Sequence, residues 1–313
     1  MNRFLKNGLL NTLLASSPFR ESQQKPLRKK LNSISSKEIF ESSNSQFIEV
    51  FQTNNFRKKV IFFPGWLGHK DSKYLIPLAD LLYSRGFDIV RIHPIDHGDS
   101  EHLNEDFFRA TDIQALIEVV KYLGQKFSDN EIHLIGFSLG GNISLRISAS
   151  PEINFLKKTI VLSPVINPEN SMNAMDKNSW ILRKYFIDKW KKTIRRKIDL
   201  YNINAKEALK HKNIKSLTEY FTKNFTPHSH VRDLFSAYAV TQETLNNINH
   251  DTFIYSAYDD PCVPIEPLLE LEETTNVEFN ALEYGGHCGF IDDFRFTSSV
   301  YHEISKKLES NTH

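Results

Sequence analysis

The stretch Glu131-Ile-His-Leu-Ile-Gly-Phe-Ser138-Leu-Gly-Gly-Asn-Ile-Ser-Leu-Arg-Ile147 decides the fold. An apolar run of strand type enters a Gly-x-Ser-x-Gly turn, and an amphipathic helix leaves it. Gly136 and Gly140 carry no Cβ, so the chain can reverse tightly around a strained serine. The turn lifts the Ser138 hydroxyl clear of the sheet. It also aims the Leu139 N–H, with the positive end of the helix, at the place where an oxyanion would form. The pentapeptide alone is common in proteins. Its setting, strand before and helix after, gives it meaning.

Two downstream segments supply partners for a nucleophilic serine. Thr252-Phe-Ile-Tyr-Ser-Ala257 reads as a buried strand running into Tyr258-Asp-Asp-Pro-Cys-Val-Pro264. An acid just past a strand end, followed by prolines that stop further pairing, is well placed to hold an imidazole. Asp259 and Asp260 both fit that position. Val277 to Glu283 alternates like a last strand and leads into Gly285-Gly-His-Cys-Gly-Phe290, a glycine-flanked loop that can carry His287 over the sheet edge. The order Ser, Asp, His goes with an α/β-hydrolase fold: a mostly parallel twisted sheet, helices on both faces and an inserted helical lid. A second oxyanion donor is expected from the turn Pro64-Gly-Trp-Leu-Gly68 after the strand from Lys59 to Phe63; Gly65 permits close approach, and Trp66 N–H is the candidate.

The set Gly136-Phe-Ser-Leu-Gly-Gly-Asn142, Asp259-Asp-Pro261 and Gly285-Gly-His-Cys-Gly-Phe290 resembles the YheT-like branch of the α/β-hydrolase superfamily, which includes membrane-associated ABHD esterases and phospholipases. The similarity runs from about residue 57 to the C-terminus and is loose in the middle. It implies carboxylic-ester hydrolysis of short- to medium-chain acyl or lipid esters, with Ser138, Asp260 and His287 as the triad. Asp260 is preferred because Asp-x-x-Val-Pro is the usual form in the superfamily, which leaves Asp259 to cap a turn. Relatives often have histidine where this chain has Pro64. Acyl transfer by the same triad, and a non-catalytic binding or membrane-docking module, remain the alternatives.

Composition agrees with an enzyme of this size. The chain has 313 residues, is 40% hydrophobic and carries a net charge of +1, so it can bury a large core and offers no field to draw it onto nucleic acid. Two cysteines, Cys262 and Cys288, make no disulfide framework and point weakly to a cytoplasmic setting. No cofactor is implied. Metal catalysis is not expected: His93, Asp96, His97 and His102 lack a dinuclear spacing, and Asp96, His97 and Asp99 read instead as organising a tight loop near the site, with Gly98 at positive φ.

Helices are expected near 73–85, closed by Gly86, and around 110–127. Residues 1–45 read as an N-terminal extension, whose start is either featureless or a short helix packed on the domain; Asn7, Gly8, Asn11 and Thr12 interrupt any signal-peptide core. Residues 46–163 and 251–313 form the hydrolase core. The 164–250 insertion is too long for a crossover loop and is expected to be a helical lid. Within it, residues 177–198 place Leu182, Phe186, Trp190 and Ile194 on one side. Arg183, Lys184, Lys191, Lys192, Arg195, Arg196 and Lys197 crowd the other. That pattern suits either a lid helix with solvated charges or a peripheral membrane contact.

Overall fold

Alternation within each central strand is what builds the layers. In the computed structural model, which describes residues 1–310, Lys58–Phe63 is a strand whose Val60 and Phe62 face one side of the sheet while Ile61 and Phe63 face the other. Both sets are fully buried, as expected for a parallel strand covered on both faces. Eight strands form the sheet: β1 (Ser36–Glu41), β2 (Phe47–Gln52), β3 (Lys58–Phe63), β4 (Phe87–His93), β5 (Glu131–Phe137), β6 (Leu156–Leu162), β7 (Asp251–Ala257) and β8 (Val277–Leu282). Their order is β1-β2-β4-β3-β5-β6-β7-β8. β1 pairs antiparallel with β2 and β2 with β4; every later pair is parallel.

The chain opens with α1 (Gly8–Ala15) and α2 (Pro18–Ser33). One face of the sheet carries α2, α3 (Leu75–Ser84) and the C-terminal helix Ser299–Glu309, whose Leu31, Leu78, Leu82 and Ile304 meet Val60, Phe62 and Ile135. The other face carries α4 (Gln114–Lys126) and α5 (Leu139–Ser148), through Leu116, Val120, Leu123, Ile143 and Ile147. Helix α4 starts later than periodicity suggests, because Ala110 gives its carbonyl to the Arg146 guanidinium (2.6 Å) and the chain turns there. Gly86, at φ +84°, follows α3 as its terminator.

Between β6 and β7 the insertion folds as α6 (Pro168–Lys177), α7 (Trp180–Tyr201), α8 (Ile214–Phe225) and α9 (Val231–Ser236). The short α10 (Gln242–Asn246) is not part of that cap. Val240, Leu245 and Ile248 pack against Leu145 of α5 and against Val161 and Ile254 of the sheet, so the core resumes about ten residues before the expected boundary at 250. The N-terminal boundary also differs. β1 lies inside the segment read as an extension; its mostly exposed, charged residues are typical of an edge strand and give little hydrophobic signal.

Lys197 corrects a sequence expectation. Counted among the solvated cations of the lid helix, it is fully buried, 2.8 Å from Asp96 Oδ1, and donates to the carbonyls of Asn104 and Asp106. It ties the cap to the loop after β4. Replacing it by Met leaves the Asp96 carboxylate buried without its cation, which costs about 3–5 kcal/mol. The urea midpoint of Lys197→Met is therefore expected to fall well below wild type, while Lys191→Met, on the surface of α7, stays within about 0.5 kcal/mol.

Candidate active site

The carboxyl ends of β3, β5, β7 and β8 converge on one edge, where open α/β sheets hold their ligands. Ser138 sits between β5 and α5 at φ +53° and ψ −120°, a strained conformation for a residue with a Cβ. The neighbours explain why it holds. A Cβ on Gly140 would lie 2.3 Å from Pro64 O, so only glycine lets α5 begin this close to the β3 loop. Ser138 N–H donates to Leu162 O, and its carbonyl accepts from Gly141 and Asn142.

The three residues expected from sequence lie together. Ser138 Oγ is 2.9 Å from His287 Nε2, and His287 Nδ1 is 2.9 Å from Asp260 Oδ2. The other Asp260 oxygen accepts the Cys262 and Val263 N–H groups, which orient the carboxylate. Asp259 does a different job: its Oδ1 accepts Gly285 N–H (2.9 Å) and Gly286 N–H (2.8 Å), pinning the histidine loop. Burial works against a charged His287, but the Asp260 carboxylate outweighs it and holds the imidazole pKa well above 6.5. Cys262, close to the same ring, is pushed up to about 12 by burial and stays a protonated packing residue. Cys288 is buried, with its N–H on Ser163 Oγ.

Trp66 and Leu139 frame the serine. Among the described residues neither N–H donates a hydrogen bond, whereas the two N–H groups flanking Trp66 are both engaged. Gly65 N–H donates to Tyr74 Oη (2.9 Å), and Leu67 N–H donates to His97 Nε2 (3.1 Å). His97 Nδ1–H in turn donates to Ile95 O (2.8 Å), and burial lowers the ring's pKa to about 4, so it stays the neutral acceptor this loop needs. The sequence carries no signal for Tyr74 and His97 as supports of this turn beyond the nearness of the His97 loop to the site. His93 bonds Glu49 and Lys70 N–H, Asp96 bonds Phe108 N–H, and His102 bonds Asp99 O.

Two openings meet at Ser138. One is an apolar cavity of about 1020 Å³, mouth included, under the cap, walled by Phe107, Met172, Trp190, Phe221 and Phe235. The other is a cleft bordered by Thr12, Leu13, Ser72, Tyr185 and Lys189. Trp66 and Phe186, stacked with centroids 6.0 Å apart, touch both. The apolar stripe of α7 thus faces inward: Leu182 and Ile194 are buried, and Phe186 and Trp190 line the cavity. On its outer side Lys184 pairs with Asp188 and Arg196 with Glu101, so the cationic face is less open than the residue count implied.

A family profile described as alpha/beta hydrolase fold matches residues 58–294. The chain belongs to the α/β-hydrolase family. YheT of Escherichia coli is 23% identical over 243 residues, covering 75% of this chain and 71% of that protein. Abhydrolase domain-containing protein 2 of Drosophila melanogaster is 22% identical over 252 residues, 73% of this chain but only 62% of that protein. These relatives lie in the branch that the motifs resemble. Among solved structures, an esterase of Pyrococcus furiosus, Pf2001, superposes with a TM-score of 0.62 at 17% identity over 90% of this chain and 92% of that one. A 2-hydroxy-6-oxo-6-phenylhexa-2,4-dienoate hydrolase of Rhodococcus gives 0.59 at 15% identity, over 88% and 99%. As a family member the chain is a hydrolase, and the bond it cuts has to be argued from the site. Among the described residues no helix is long and apolar enough to cross a membrane.

Proposed function

We propose that the protein hydrolyses carboxylic esters through an acyl-enzyme on Ser138. The observation that carries this reading is the unbroken chain from Ser138 Oγ through His287 to Asp260, both links 2.9 Å, opening onto an apolar cavity. Ser138 Oγ attacks the ester carbonyl carbon while its proton passes to His287 Nε2. Asp260 holds the tautomer and stabilises the imidazolium. Leu139 and Trp66 N–H receive the oxyanion. As the C–O bond breaks, Nε2–H protonates the departing alcohol; water then repeats the cycle in reverse roles and releases the acid.

The acyl group belongs in the aromatic and methionine-lined cavity, the alcohol in the second cleft. Each CH₂ buried there is worth about 0.8 kcal/mol, or roughly fourfold in kcat/KM. A series of p-nitrophenyl esters is therefore expected to rise in kcat/KM with acyl length until the cavity is full and then fall. A series flat from acetate upward would remove the acyl chain from this cavity. Labelling of wild type, but not of Ser138→Ala, by a fluorophosphonate probe tests the nucleophile, and product analysis with an added alcohol separates hydrolysis from transfer.

Lipid esters come into this reading through one further feature. Trp180, 68% exposed, stands with Ile181 and Tyr185 at the start of α7, and the latter two border the cleft. Such a rim suits a bilayer surface. Cosedimentation with anionic vesicles, lost in a Trp180→Ala/Ile181→Ala variant, is the expected result, and equal binding by both proteins would remove the membrane from the reading.

A further inference from the structure

The N-terminal helix touches the site in a way that its sequence position does not suggest. His287 N–H donates to Thr12 Oγ1 at 2.7 Å, and the same hydroxyl donates to Gly8 O at 2.7 Å. One turn of α1 therefore presents an oriented acceptor to the backbone of the residue whose ring meets Ser138. Asn11, fully buried, brackets the same loop further on: its Nδ2 donates to Ile291 O (3.1 Å) and its Oδ1 accepts Ile291 N–H (3.3 Å). The approach is as close as backbones allow. A Cβ on Gly8 would lie 1.6 Å from Asp259 O, so α1 rests on the acid loop as well as the histidine loop.

Each amide around the imidazole has its own anchor. Gly286 N–H is held by Asp259, Cys288 N–H by Ser163, and His287 N–H by Thr12 alone. The first two anchors belong to the hydrolase core, the third to a helix outside it. Resting on the hydrolytic reading above, we propose that Thr12 is a positioning residue for His287, and that α1 completes the active site rather than decorating the domain. The physical need is plain. A buried N–H without an acceptor drives the loop to rearrange, and a shift of about 1 Å in a reacting group can cost on the order of 100-fold in rate. Thr12 and Leu13 also border the cleft assigned to the alcohol, so the same helix faces the leaving group.

The test compares Thr12→Val and Thr12→Ala, which remove the acceptor, with Thr12→Ser, which keeps it, and with Leu9→Ala. Leu9 packs against the cluster of Val165, Leu182, Cys262 and Val263 and makes no hydrogen bond to the histidine loop through its side chain, so it reports loosening of α1 in general. The first two variants are expected to lose about 10- to 100-fold in kcat with little change in KM. The acid limb of their kcat/KM profile should move down in pH as the His287–Asp260 contact slackens. Thr12→Ser should return to within about threefold of wild type. Leu9→Ala should lower Tm without moving the acid limb. Wild-type kcat and acid limb in folded Thr12→Val and Thr12→Ala would overturn the proposal. So would a Leu9→Ala protein reproducing the whole Thr12→Val phenotype, pH profile included. Failure of the underlying hydrolytic reading looks different: Ser138→Ala would retain activity, and wild type would not label with fluorophosphonate.

Discussion

Ser138→Ala is expected to lower kcat/KM for any ester the protein cleaves by on the order of 10⁴–10⁶, leaving the fold intact. Alanine keeps the Cβ already accommodated at φ +53°, and the Ser138 main-chain hydrogen bonds do not involve the hydroxyl. Residual rate would come from the free Leu139 and Trp66 N–H groups and from substrate binding, so it should remain above the rate in water. Full activity in a folded Ser138→Ala protein, judged by an unchanged circular dichroism spectrum and Tm, would remove the nucleophile from the mechanism and the acyl-enzyme with it.

Asp260→Asn should cost about 10³–10⁴ in kcat, because asparagine fixes the wrong imidazole tautomer and withdraws the charge that stabilises the imidazolium. Its pH signature is the sharper test. Burial alone would depress the His287 pKa; the Asp260 carboxylate reverses that and raises it well above 6.5. The base must be neutral to accept the serine proton, so wild-type kcat/KM should climb as pH rises through that elevated pKa. In Asp260→Asn the climb should move down, to 6.5 or lower. Stability follows the same linkage. A histidine whose folded pKa is raised contributes stability that is complete below its unfolded pKa and is lost as pH rises through the folded one. The wild-type Tm should therefore decline above about pH 6.5 more steeply than that of Asp260→Asn. Parallel Tm profiles and an unmoved acid limb would show that Asp260 does not control the ring.

Much of this site is legible in the sequence because each key side chain directly follows a strand of recognisable pattern. Ser138 and Asp260 stand shortly past apolar runs and His287 in the loop after the alternating last strand, and the parallel sheet brings those strand ends to one edge whatever the intervening chain does. Roles that depend on another element are hidden. Lys197 sits among seven other cations on its helix, and nothing in a helical wheel records the buried Asp96 facing it. β1 is hidden within the apparent extension because an edge strand such as Ser36–Glu41 carries charge where a central strand carries valine. Asn11 and Thr12 are visible in the sequence as interruptions of an apolar stretch. Their meaning lies in amides 275 and 280 positions away, beyond any periodicity.

That separation has a consequence for how the molecule reaches competence. The Thr12–His287 bond joins residues 275 positions apart, whereas most sheet pairs join segments far nearer in the chain. Contacts of long span carry a higher entropic toll for closure and tend to form late. A refolding protein should regain its sheet before it regains turnover, and during synthesis α1 must wait for a loop 275 residues further on to emerge. Bulk fused to the amino end would then delay maturation of the catalyst more than it disturbs the finished fold.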